Sequence, residues 1–178
     1  MRPLASADRI AALLSALGRE ASEPTALYLT GGATAVLLGW RDSTIDVDLR
    51  FEPERDELLR AVSRLKDELR INVELASPAD FLPLPEGAEG RAVYAATEGR
   101  LTIYHFDLYS QALAKVERGH DRDLADVDAM IDRGLIDPAT ALAYLAEIEP
   151  QLFQFPAIDP AEFRRRAEEV FGKRRSGS

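Results

Sequence analysis

The sequence contains no cysteine, which removes disulfide scaffolds, zinc ribbons, iron–sulfur clusters and thiol catalysis in one step. It has only two histidines, His105 and His120, so any metal is expected on oxygen ligands, as a hard ion such as Mg²⁺. No apolar run reaches the about 20 residues that span a bilayer. The most apolar stretch, Ala26 to Trp40, is broken by Thr30, Gly31, Gly32 and Thr34. The start, MRPLASADRI, has neither the basic region nor the apolar run of a secretory signal, which points to the cytoplasm and to no membrane partner. Basic residues are the minority: 22 Lys+Arg stand against 31 Asp+Glu, a formal net charge of −9. That balance argues against tight, non-specific coating of nucleic acid, whose affinity comes from cations meeting phosphates.

What is present describes a globular protein: 178 residues, 46% hydrophobic and 30% charged. No internal repeat or long linker divides it. The elements suggest an α+β fold with a mixed, α/β-type sheet, residues 1–108 forming the core and residues 109–178 a helical region packed on it in one compact unit. Ser6 is placed to cap a helix carrying Ile10, Leu13, Leu14 and Leu17, with Gly18 expected to end it. Ala26–Thr30 reads as a buried strand running into Gly31-Gly32 and a short helix, Ala33–Leu38. Ile45, Val47 and Leu49 alternate with Asp46, Asp48 and Arg50, the period of a strand with one buried face. Pro53 is expected to open a helix bearing Leu58, Leu59, Val62, Leu65 and Leu69. A strand at 71–75, a Pro/Gly-rich loop from Ser77 to Gly90 and a hairpin from Ala92 to Asp107 follow. Helices then fill the rest: Ala112–Arg118 stopped by Gly119, one capped by Asp121, and two opened by Asp137-Pro138 and Asp159-Pro160. Trp40, Phe153, Phe155, Phe163 and Phe171 are expected in the core or between helices.

Two features carry chemistry. Residues i and i+2 of a strand point to the same side, with backbones about 7 Å apart, so Asp46 and Asp48 can converge on one hard cation. A paired glycine ahead of a helix lets the backbone approach a phosphate. Gly31-Gly32 followed by Asp46-Val47-Asp48 therefore sets a phosphate cradle beside a metal clamp, the pairing that phosphoryl or nucleotidyl transfer needs.

The run from Gly31 through Asp48 resembles the signature of the polymerase-β-like nucleotidyltransferase superfamily, a Gly-Gly turn, a short helix and Asp-x-Asp on a strand. The run from Asp107 through Lys115 to Arg122-Asp123-Leu124-Ala125-Asp126-Val127 resembles the second half of a narrower branch, which holds the AbiE-type abortive-infection toxins, the mycobacterial nucleotidyltransferase toxins and an uncharacterised bacterial family close to them. This resemblance implies a polymerase-β-like core and transfer of a nucleoside monophosphate from an NTP, with Mg²⁺ or Mn²⁺. The acceptor hydroxyl would belong to a tRNA 3′ end, a protein or a small molecule. A toxin role in a toxin–antitoxin or phage-defence system, with a cognate antitoxin, is implied too. Residue by residue, Asp46 and Asp48 match the metal pair and Gly31 and Gly32 the triphosphate turn. Arg41, Ser43 and Thr44 match the segment that holds nucleotide phosphates, Lys115 a helical lysine, and Asp123, preferred over Asp126, an acid in the next helix. For the third carboxylate of the superfamily, serving as metal ligand or base, the positional candidates are Glu74 and, as a rival, Asp107. Arg164-Arg165-Arg166 and Lys173-Arg174-Arg175 offer local positive charge to RNA phosphates. The other reading is a nucleotide- or partner-binding module with the same fold and no turnover.

Overall fold

The structure is a computed structural model that describes residues 1–173. It divides into two compact units, the first formed by Met1–Ser77 with Ala92–Phe106, the second by Pro78–Arg91 with the chain from Asp107 on. The Pro/Gly-rich segment thus belongs to the helical unit, and the change of unit after the hairpin falls at Phe106/Asp107. The fold is α+β with a mixed sheet.

In the first unit, β1 (Ala5–Ser6), α1 (Ala7–Glu20), β2 (Thr25–Thr30), α2 (Gly32–Leu38), β3 (Ser43–Thr44), β4 (Asp46–Glu52), α3 (Asp56–Glu68), β5 (Asn72–Leu75), β6 (Val93–Glu98) and β7 (Leu101–His105) follow in order. The main sheet runs β5-β4-β2-β7-β6, and β1 pairs with β3 apart from it. β2 is antiparallel to β4 and parallel to β7. β5 is parallel to β4, and β6 antiparallel to β7. The apolar stripes of α1 (Ile10, Leu13, Leu17) and α3 (Leu58, Val62, Leu65) join one core with Leu27, Leu29, Val47, Leu49, Leu101 and Ile103. The strand period of two then dictates that Tyr28, Thr30, Asp46, Asp48, Arg50, Glu74 and Tyr104 lie on the opposite face.

Ser6 caps α1, its Oγ accepting from Arg9 N at 3.4 Å. Gly18 does not end that helix, which continues to Glu20. Its role is close packing: a Cβ there would lie 2.6 Å from the Glu98 carbonyl oxygen at the β6–β7 turn. Nor does Pro53 open α3, whose first bonds are Leu58 N and Leu59 N to the Arg55 carbonyl. Arg55 brings no capping side chain but ties the helix start to β2 through Nε to Thr25 Oγ1 at 2.8 Å. Ile45, expected on the buried face, is 51% exposed because it lies in the link between β3 and β4.

The second unit contains α4 (Leu108–Arg118), α5 (Asp121–Asp132), α6 (Pro138–Ile148) and α7 (Pro160–Ala167), the last passing into a π turn, Glu168–Gly172. Asp137 and Asp159 cap α6 and α7 as expected. Gly119, at φ 73°, ends α4 as expected, but Asp121 is not a cap: α5 begins one residue earlier, with His120 in the cap position and Asp121 in the first turn. Phe163 and Phe171 are buried, Trp40 and Phe155 half-buried. Phe153, expected in the core, is 76% exposed, because its 3₁₀ segment turns Leu152 inward instead. No helix among the described residues is long and apolar enough to cross a membrane.

Candidate active site

Asp46 and Asp48 lie half-buried on the outward face of β4, separated by buried Val47. Register places Thr30 of β2 on one side of Asp48 and exposed Glu74 of β5 on the other. The glycine turn meets this row directly. Gly31 has φ 65°, in the left-handed region, and a Cβ there would lie 2.7 Å from Asp48 Oδ2. Gly32 is tighter still, its missing Cβ 2.0 Å from Thr44 Oγ1. Thr44 packed on it holds position 32 to glycine, whereas at position 31 the left-handed backbone favours glycine and the Asp48 carboxylate lies beside it.

Thr44, matched by resemblance to a phosphate-holding position, is buried, and its Oγ1 donates to the Asp46 carbonyl at 3.0 Å. It fixes the entry to β4 and the height of the turn. Ser43 pairs with Ser6 in the small sheet, and Arg41 is half-buried after Gly39, whose φ of 98° ends α2.

The donor set suits a hard divalent ion. Asp46 and Asp48 offer oxygens on one face, and the absent Cβ of Gly31 leaves the space that the Asp48 carboxylate fills. Among the described residues no three His, Cys, Asp or Glu side chains are grouped so as to hold a metal. Two carboxylates are nonetheless a common protein share for Mg²⁺, which takes the remainder from water and substrate phosphates.

Beneath the turn lies a link that sequence reading did not identify. His105, 2% exposed at the end of β7, has Nδ1 3.0 Å from Oγ1 of fully buried Thr34 in α2. Burial pushes the imidazole pKa down to about 4. The folded value is thus below the unfolded one, near 6.5. The unfolded chain takes up the proton first as pH falls, so stability is full above about 6.5 and is lost on the way to about 4. The loss assignable to His105 is about 3 kcal/mol. Urea midpoints at pH 7, 5.5 and 4 should fall more steeply for wild type than for His105→Asn; equal slopes would show that His105 does not drive the change.

In the second unit Lys115 is buried, its Nζ 2.7 Å from Asp126 Oδ2 and 3.9 Å from Asp123 Oδ1. Arg118 grips Asp123 with two bonds, of 2.8 and 2.5 Å. Burial pushes the Asp123 carboxyl up, but Arg118 and Lys115 more than offset this and hold it below its ordinary range. Asp107, the rival third carboxylate, caps α4 through Tyr109 N and Ser110 N, and takes Arg91 at 3.1 and 3.0 Å. Both its oxygens are thus engaged in holding the start of a helix. Arg164, Arg165 and Arg166 all meet carboxylates, Arg165 pairing with Glu162 and Glu169 along its own helix. Lys173 meets Glu169, while Arg174 and Arg175 lie outside the described residues.

A mixed sheet packed against helices, with a glycine turn beside the Asp48 carboxylate, is consistent with a nucleotidyltransferase-like core. The chain belongs to the family of nucleotidyltransferases of unknown function DUF6036, whose model matches residues 7–147. That family supports the nucleotidyltransferase superfamily and not the AbiE-type branch. No curated protein and no solved structure matches the chain.

Proposed function

We propose that the chain is a metal-dependent nucleotidyltransferase that moves a nucleoside monophosphate from an NTP to an acceptor hydroxyl and releases pyrophosphate. The observation that carries this reading is the closeness of turn and clamp, where Asp48 Oδ2 lies 2.7 Å from the place a Cβ at position 31 would take. Asp46 and Asp48 would hold Mg²⁺ or Mn²⁺, which supplies charge neutralisation on the phosphates. The Gly31-Gly32 turn would seat the triphosphate, with Arg41 and Ser43 beside it and Thr44 holding the turn in place. Glu74, in register with Asp48, would take the proton of the attacking hydroxyl. The narrower reading we carry forward is a toxin of a toxin–antitoxin or phage-defence system acting on a tRNA 3′ end, as the resemblance implies. The rival reading is a nucleotide- or partner-binding module with the same fold and no turnover.

The test is incubation of wild type and Asp46→Ala with each α-labelled NTP, Mg²⁺ and total tRNA. We expect wild type alone to transfer label, and the labelled fraction, whether RNA, protein or small molecule, identifies the acceptor. Label transfer by neither sample, with NTP still bound by wild type, would establish the module instead.

A further inference from the structure

The six-residue passage from Leu29 to Thr34 carries the Gly31-Gly32 turn. Both ends are tied to one place. The Leu29 carbonyl accepts the Phe106 amide at 2.8 Å and faces Thr34 Oγ1 at 3.4 Å. Thr34 Oγ1 also meets His105 Nδ1 at 3.0 Å. A hydroxyl has one hydrogen and two lone pairs. With that hydrogen directed at Leu29, the imidazole must be the donor, from Nδ1. Two consecutive residues at the end of β7 thus clamp both ends of the passage, and Asp48 and Thr44 close on the turn from the side.

We infer that His105 is a positioning residue for the candidate metal and nucleotide site, its Nδ1–H fixing Thr34 and, through Thr34, the Gly31-Gly32 turn against Asp48. This rests on the reading that Asp46 and Asp48 hold the metal. Loss of the bond removes His105 as a partner of the Thr34 hydroxyl at a residue with 0% exposure, where giving up a buried hydrogen bond is costly. The first turn of α2 then relaxes, and the surface on which the Asp48 carboxylate rests moves with it. Such outer partners of metal ligands are typically worth about 10- to 100-fold in metal affinity.

The experiment measures Mn²⁺ binding by electron paramagnetic resonance, with a non-hydrolysable NTP analogue present, at pH 7.5 and well below each variant's melting temperature. Wild type is compared with His105→Asn, whose side-chain amide places a donor near the Nδ1 position, with His105→Leu, and with the isosteric Thr34→Val. We expect His105→Asn to bind within about threefold of wild type, and His105→Leu and Thr34→Val to bind at least about tenfold more weakly while folded. Where His105→Leu does not fold, Thr34→Val decides. Folded variants that all bind like wild type overturn the positioning role and leave the metal site standing. Wild type that binds no Mn²⁺ overturns the metal site and this inference together.

Discussion

Asp48→Asn should reduce nucleotidyl transfer by at least about a thousandfold while leaving the protein as stable as wild type or slightly more so. Asparagine has the same shape, so the side chain still rests on Gly31, and only charge is removed from the position beside the turn. A thousandfold corresponds to about 4 kcal/mol of transition-state stabilisation, the scale on which a bound divalent ion acts on phosphoryl oxygens. On the stability side the sign is opposite. Asp46 and Asp48 are half-buried like charges on one strand face, so removing one charge lowers the repulsion between them. Relief of that repulsion should hold or raise the melting temperature, the pattern expected where a site is kept for chemistry at the expense of stability. Pyrophosphate release and thermal unfolding, measured on the same samples, check both halves. Activity within tenfold of wild type would remove Asp48 from the metal pair.

Where one residue type has one physical meaning, the sequence was readable. Asp-Pro at 137–138 and at 159–160 marks helix starts because a capping carboxylate and a fixed φ act locally, and both caps form. Gly119 marks a helix end for the same reason, its φ of 73° being unfavourable for other residues. Alternation put Asp46 and Asp48 on one face and Leu101, Ile103 and His105 on the other side of the sheet, and register then set Glu74 beside Asp48. What failed depends on partners far along the chain. Gly18 looks like a helix stop, yet its missing Cβ serves the backbone at Glu98, 80 positions on. The turn at Gly31 and Gly32 was legible as a glycine turn between strand and helix, but its contact with Asp48 and Thr44 requires the β2–β4 pairing to be known. His105 gave no signal beyond sitting on an apolar strand face; the informative partner, Thr34, is 71 residues away. Ile45 and Phe153 follow the apolar pattern and nevertheless face solvent, because a link and a 3₁₀ segment do not continue the periodicity of their neighbours.

Lys115→Met should destabilise the helical unit by about 3 to 5 kcal/mol, the range for removing one partner of a buried ion pair. The ammonium meets Asp126 at 2.7 Å and Asp123 at 3.9 Å, and all three side chains are almost completely buried. Arg118 still neutralises Asp123 after the substitution, so the uncompensated charge falls on Asp126. The double variant Lys115→Met/Asp126→Leu should then recover most of the loss, because an apolar replacement of a whole buried pair is often neutral. A double-mutant cycle in urea gives the coupling directly. The arrangement places Lys115 between α4 and α5 as the cation that lets two inward carboxylates share one helix face at positions i and i+3. A lysine whose work is to bind a nucleotide phosphate predicts the reverse: Lys115→Met would melt like wild type and lose turnover, and adding Asp126→Leu would restore nothing. The stability of the single and double variants, measured without any substrate, therefore separates the two roles before an acceptor is known.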